Sequence, residues 1–206
     1  MAQRTLACTG CHGPQGKSGP DGYYPRLAGK PAGYLYNQLR NFQEGRRHYA
    51  LMEGLLTPLS DAYLKEIAAY FSALEIPYPP AVPQSATPTL LARGETLVRK
   101  GDAALQLPAC VQCHGLALTG VQPSTPGLVG LPRDYLNAQL GGWQTGQRKA
   151  GAPDCMATIA KRLSDADVHA VTSWLASQTV PMPSNPAAHR PPASAGTLAM
   201  ECGSAP

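Results

Sequence analysis

Two short stretches of this chain carry residues whose types and spacing restrict the chemistry they could do. Cys8-Thr9-Gly10-Cys11-His12 and Cys110-Val111-Gln112-Cys113-His114 each place two thiols three positions apart with a His immediately after. Cys-x-x-Cys-His is the haem c attachment pattern: both sulfurs form thioethers to the porphyrin edge, and the adjacent imidazole reaches the iron from one face. A bare Cys-x-x-Cys could be a redox dithiol or half a zinc site. Both copies here carry the immediate His, and neither lies in a βαβ pattern. Two covalently attached haems c, each with its iron, are therefore expected. One is held by Cys8 and Cys11 with His12 as metal ligand, the other by Cys110 and Cys113 with His114.

Each iron needs a second axial ligand. Met52 and Met156 are the candidates, because each lies at the same distance before a Leu-Ser-Asp, Leu59 to Asp61 and Leu163 to Asp165. A Met met singly is more often core filler; recurring beside a haem motif, it points to iron. A His/Met pair closes both axial positions and raises the reduction potential, which suits electron transfer better than small-molecule chemistry. His48 is a competitor, but its repeat partner is Lys149; His169 aligns with Lys65 and is expected to face solvent. His189, Met182 and Met200 have no repeat partner.

Haem attachment uses four of the six cysteines and leaves Cys155 and Cys202. In an oxidising compartment an even remainder suggests a disulfide, which would pin the tail over the ligand loop of the second haem. Cys155 as the second iron's ligand, with an enzymatic role, is the alternative left open by its place beside Met156.

The elements that must position these residues come as an internal repeat. Pro25 to Gly29 recurs as Pro126 to Gly130, and Tyr34, Gln38, Leu39, Gly45 and Arg47 recur as Tyr135, Gln139, Leu140, Gly146 and Arg148; the offset runs only from 101 to 104 residues. Between the copies, Pro77, Pro79, Pro80, Pro83 and Pro88 make a stiff linker. The expected layout is a first domain over 1–78, a linker over 79–88, a second domain over 89–180 and a Pro-rich tail over 181–206. Each copy reads as helical. Pro31 and Pro132 suit a first helical turn, and Ser60 and Ser164 are good N-caps. Leu64, Ile67, Phe71 and Leu74 form one apolar stripe; Val168, Val171 and Leu175 form its counterpart. A helix containing Leu91, Leu97 and Val98 precedes the second motif, whereas few residues precede the first, so the first core is expected to be less well covered.

Composition bounds the rest. The net charge is +4, and residues 1–78 and 90–180 each carry 8 basic and 6 acidic groups, so neither half is a basic patch for nucleic acid. Phe occurs only twice in the chain. Two small domains so poor in large apolar side chains need a staple or a buried cofactor. No apolar stretch is long enough to span a membrane. Haem c is attached outside the cytoplasm, so a periplasmic location is expected, with a secretion leader removed or missing from this chain. No Ser/His/Asp or paired-carboxylate constellation supports hydrolytic catalysis, and a carrier rather than an enzyme is expected.

From Cys8 to about Ser177 the chain resembles the diheme class I cytochromes c of the c-four type. The resemblance implies an all-α fold of two tandem mono-haem domains. It further implies that the carbonyls of Pro25 and Pro126 accept hydrogen bonds from the haem-ligating His12 and His114, fixing each imidazole. As partners it implies a quinol-oxidising complex or a dehydrogenase as electron donor and a terminal oxidase as acceptor.

Overall fold

The computed structural model describes residues 1–19, 22–81, 83, 85–192 and 198–204. Parts of the expected linker (82, 84) and tail (193–197, 205, 206) lie outside the described residues. The first half runs α1 (Leu6–His12), α2 (Ala32–Gln43), α3 (Ala50–Leu56) and α4 (Asp61–Ser72). The second opens with α5 (Pro88–Lys100) and then repeats that order as α6 (Cys110–His114), α7 (Arg133–Thr145), α8 (Cys155–Arg162) and α9 (Asp165–Ser177). A small antiparallel hairpin, β1 (Gly120–Val121) with β2 (Thr125–Pro126), stands between α6 and α7.

Side-chain caps set several of these boundaries. The hydroxyls of Ser60 and Ser164 accept from the amides of Tyr63 and Asp167, and that of Thr87 accepts from Leu90. Pro88 is thus the first residue of α5, where its missing N–H costs nothing, so the helix begins inside the expected linker. Pro31 and Pro132 sit one step earlier than expected, at the caps of α2 and α7 with extended ψ of 135° and 141°.

The second core is built on the crossing of α5 with α9, where Leu97, Val98, Val171, Trp174 and Leu175 are buried. The two backbones approach closely at Gly94, where a Cβ would lie 2.2 Å from the carbonyl oxygen of Ala170. Arg93 adds ion pairs to Asp167 (2.8 Å) and Asp102 (3.0 Å). In the first domain α4 packs on α2, and where α9 has α5 it has only a short 3-10 turn, Ala2–Thr5, held through Tyr63 donating to the Arg4 carbonyl (2.9 Å) and an Arg4–Glu66 pair (2.7 Å). Its buried core is correspondingly smaller: Leu35, Ile67, Ala68 and Phe71, with Phe42, Leu56 and Leu64 beside them.

The halves are joined by backbone as well as side chains. Arg47 and Arg148 face each other in an isolated antiparallel bridge. The amide of Lys149 donates to the Arg46 carbonyl (2.6 Å), and that of Gly33 to Pro123 (2.9 Å).

Candidate haem sites

Cys8, Cys11, His12, Pro25 and Met52 line one cavity. Cys110, Cys113, His114, Pro126, Cys155, Met156 and Cys202 line another. Every residue expected to attach or ligate a haem, and both spare cysteines, therefore fall on the wall of one of the two; His48 also lines the first and Met200 the second, whereas His169, His189 and Met182 line neither. His48 makes an exposed contact with Glu53 (3.3 Å), and His169 and His189 are exposed.

On α1 and α6 the two cysteines lie three positions apart and share a helix face, with the His closing the helix. The positive φ of Gly13 and Gly115 (75° and 84°) then turns the chain away at once. His12 Nδ1 donates to the carbonyl of Pro25, and His114 Nδ1 to that of Pro126, both at 2.7 Å. With Nδ1 holding the proton, the Nε2 lone pair is left for a metal. Burial pushes both imidazoles down from their usual range, against the raising effect of the proline carbonyls, which keeps them neutral as an iron ligand must be.

The thiols behave unlike those of a redox dithiol. Burial raises Cys8 and Cys113 and pushes Cys110 up to about 12. A thiol-exchange or zinc site needs the reverse, a depressed thiol beside positive charge.

Met52 is the third residue of α3 and Met156 the second of α8. Each helix is fixed to its neighbour by a glutamine. Gln43 Nε2 on α2 donates to the carbonyls of Leu56 (2.7 Å) and Leu59 (2.9 Å). Gln144 on α7 donates to those of Ala160 (3.1 Å) and Leu163 (3.0 Å). Sequence reasoning missed this pair of struts, although Gln43 and Gln144 recur at the repeat offset. Asp154, in the extra residues before Met156, caps α8 by accepting from Ala157 (3.0 Å) and ties Ala150 to the same turn (2.7 Å).

The two cavities share a wall at the domain interface made by Lys30, Tyr34, Gln38, Leu131, Tyr135, Gln139 and Arg148. Lys30 and Arg148 are buried there, and burial pushes both down from their usual values. Arg47 donates to Gln38 (3.1 Å) and across the interface to Gln139 (2.7 Å), while Arg148 donates to Gln139 (2.5 Å) and across to Gln38 (3.0 Å). This shared wall contains no carboxylate. Buried cations without anions are unfavourable unless something negative arrives. The propionates of two haems, thioether-linked at their opposite edges, would supply that charge, so the donor set and the charge both fit the group.

Two such centres in tandem helical domains define a two-haem c-type cytochrome. A family model described as cytochrome c matches residues 3–74 and 91–179. The chain belongs to the cytochrome c family, holds two covalently bound haems c and has the two-domain layout of cytochrome c4. It is 41% identical over 172 residues to the thiosulfate dehydrogenase electron acceptor of Thiomonas intermedia (strain K12), covering 84% of this chain and 78% of that one. The structure of reduced recombinant cytochrome c4 from Pseudomonas stutzeri matches with a TM-score of 0.74 and 32% identity, over 86% of this chain and 96% of that chain. Thiosulfate dehydrogenase (TsdBA) from Marichromatium purpuratum matches with a TM-score of 0.75 and 32% identity, over 87% of this chain but only 39% of that one.

Proposed function

We propose that this chain is a periplasmic electron carrier whose irons are both His/Met-ligated, by His12 with Met52 and by His114 with Met156. Its electron donor is a dehydrogenase acting on a reduced inorganic sulfur anion such as thiosulfate. The observation that carries the ligand assignment is the duplicate geometry: a neutral His fixed by a proline carbonyl, and a Met on a helix strutted by an equivalent glutamine, in each cavity. Of the donors implied by resemblance, a dehydrogenase is favoured over a quinol-oxidising complex by the names of the relatives. A terminal oxidase remains the acceptor that the resemblance implies.

When bound, each haem supplies one-electron iron chemistry. The chain's own residues hold the imidazole proton on Nδ1, keep the iron surroundings apolar and present a thioether that favours the reduced state. Lys30, Arg47 and Arg148 would hold the propionates of both haems at the shared wall and so bring the two centres close. The disulfide between Cys155 and Cys202 (S–S 2.18 Å) supports an oxidising compartment. It also occupies the Cys155 sulfur, which removes the thiolate that an enzymatic reading of the second iron would need. Among the described residues no helix is long and apolar enough to cross a membrane.

The test is the red and near-infrared spectrum of the ferric holoprotein, which reports methionine sulfur on haem iron. Met52→Ala and Met156→Ala should each remove about half of that band, on the reasoning that axial ligand identity sets the spectrum. Persistence of the full band in either variant would refute the assignment. Failure of a thiosulfate-oxidising dehydrogenase to reduce the wild-type protein would refute the donor.

A further inference from the structure

The two haem edges are treated differently by the rest of the chain. Propionates held at the cationic wall between the domains would leave the cysteine-bonded edge of each haem turned away from it. At the first site Cys11 is exposed; its counterpart Cys113 is partly covered. At the second site alone, tail residues share the cavity wall with the motif: Arg190, Met200, Cys202 and Ser204 line it with Cys113.

The tail reaches the second site at two places. Asn185 to Ala187 runs alongside the hairpin: Ala187 pairs with Val121 as a parallel bridge, its amide donates to Gly120 (2.9 Å), and its carbonyl accepts from Gln122 (2.8 Å). This carries Arg190 onto the wall of the second cavity, which it lines together with Cys113 and His114. Farther on, Met200, Cys202 and Ser204 line the second cavity with Met156. The Cys155–Cys202 disulfide fixes them, beside Gly203 donating to the Pro153 carbonyl (2.9 Å) and Ser204 Oγ accepting from Gly151 (3.0 Å). The seat is shaped for this segment, since a Cβ at Gly203 would lie 2.0 Å from the Ala152 carbonyl oxygen. The tail also grips the first domain, through Asn185 to Glu75 (3.2 Å) and Asn37 to the Ser204 carbonyl (2.9 Å).

The tail thus lines the second cavity at Arg190 and again at Met200, Cys202 and Ser204, where it is bonded to the residue before Met156. Leu51, which precedes Met52, holds the register position of Cys155, so the first domain has no cysteine with which to latch such a segment. Among the described residues, none of the tail lines the first cavity.

We propose that the described parts of the C-terminal tail, Asn185 to Arg190 and Met200 to Ser204, form a built-in cap on the cysteine-bonded edge of the second haem, latched by Cys155–Cys202. The open edge at Cys11 is then the one through which the protein exchanges electrons with other proteins, and the second haem exchanges through the first. This inference requires both haems to be present but is independent of which dehydrogenase is the donor.

The test uses the fully reduced, diamagnetic holoprotein and a soluble gadolinium chelate. Relaxation of the thioether-edge protons of each haem is measured by NMR. Relaxation by a freely diffusing agent falls steeply with its distance of closest approach. The first haem's protons should relax several-fold faster than the second's in the full-length chain. Cys202→Ser, and truncation after Ser184, should raise the second haem toward the first while leaving the first unchanged. Equal relaxation in the full-length chain, or an unchanged ratio in Cys202→Ser, would overturn the proposal. Because the full-length measurement needs no variant, a truncated chain that failed to fold would not decide the matter. A null result here would leave the donor assignment standing, since that is read from reduction by the dehydrogenase.

Discussion

Replacing Cys202 by Ser removes a covalent link between positions 47 residues apart, and the cost can be worked from that separation. Closing a loop of this size in the unfolded chain removes conformational entropy worth about 4 kcal/mol at 25 °C in the chain-entropy model. The native side of the balance is small, because the hydrogen bonds released with the latch are few, one at Gly203 and one at Ser204 Oγ, each worth about 1 kcal/mol net. The loss should therefore appear almost wholly as destabilisation of the second domain. With a denaturant slope of ~3 kcal/mol per molar for a domain of this size in guanidinium, the midpoint should fall by about 1 M. The assay is guanidinium unfolding of ferric holoprotein, followed at the methionine–iron band. Met52→Ala or Met156→Ala in the background would isolate each domain's signal. The first domain is the internal control and should move far less, since among the described residues the tail's hydrogen bonds to it are those at Asn37 and Glu75. A second-domain midpoint unchanged within error would show that the unfolded chain is not constrained by this bridge, and the reasoning would fail.

Two further outcomes follow from particular contacts. Gly94→Ala forces a methyl into the carbonyl of Ala170 where α5 crosses α9, and should destabilise the second domain alone by about 1–3 kcal/mol, read by the same unfolding assay. Arg190→Gln removes a positive charge that acts on the Cys113 and His114 site, so the ferric state gains relative to the ferrous. The second haem's potential should fall by a few tens of mV, on the order expected of one partly screened charge. Spectroelectrochemical titration would show one of two steps moving, and movement of neither would refute it.

The helices and the haem-bearing residues were legible because the chain states them twice. Ser60 and Ser164, each Cys-x-x-Cys-His and the two methionines stand in register, and the repeated signal picked out residues that line the two cavities. The tail was only partly legible. Counting cysteines left Cys155 and Cys202 over, but nothing in a Pro-rich stretch announces that Ala187 will pair with a hairpin strand or that Gly203 will be needed for close approach. Those contacts depend on surfaces that exist only after the second domain has folded. Trp174, absent from the stripe read after Ser164, is buried because α9 packs against both α5 and α7, so most of its circumference is covered and a one-face periodicity understates it.

The interface residues show a different limit. Gln38, Arg47, Gln139 and Arg148 were visible as recurrences without an evident role. Where two copies of a domain meet about an approximate two-fold axis, a residue near the axis meets its own repeat. Each glutamine carbonyl therefore accepts one guanidinium from its own domain and one from the other. That arrangement brings two arginines together beside buried Lys30, which by itself opposes docking of the domains. Propionates of haems held in the two cavities would relieve that repulsion, since both cavities are lined by Lys30 and Arg148. The same cations that would draw two redox centres to one wall would then make domain docking depend on both centres being in place.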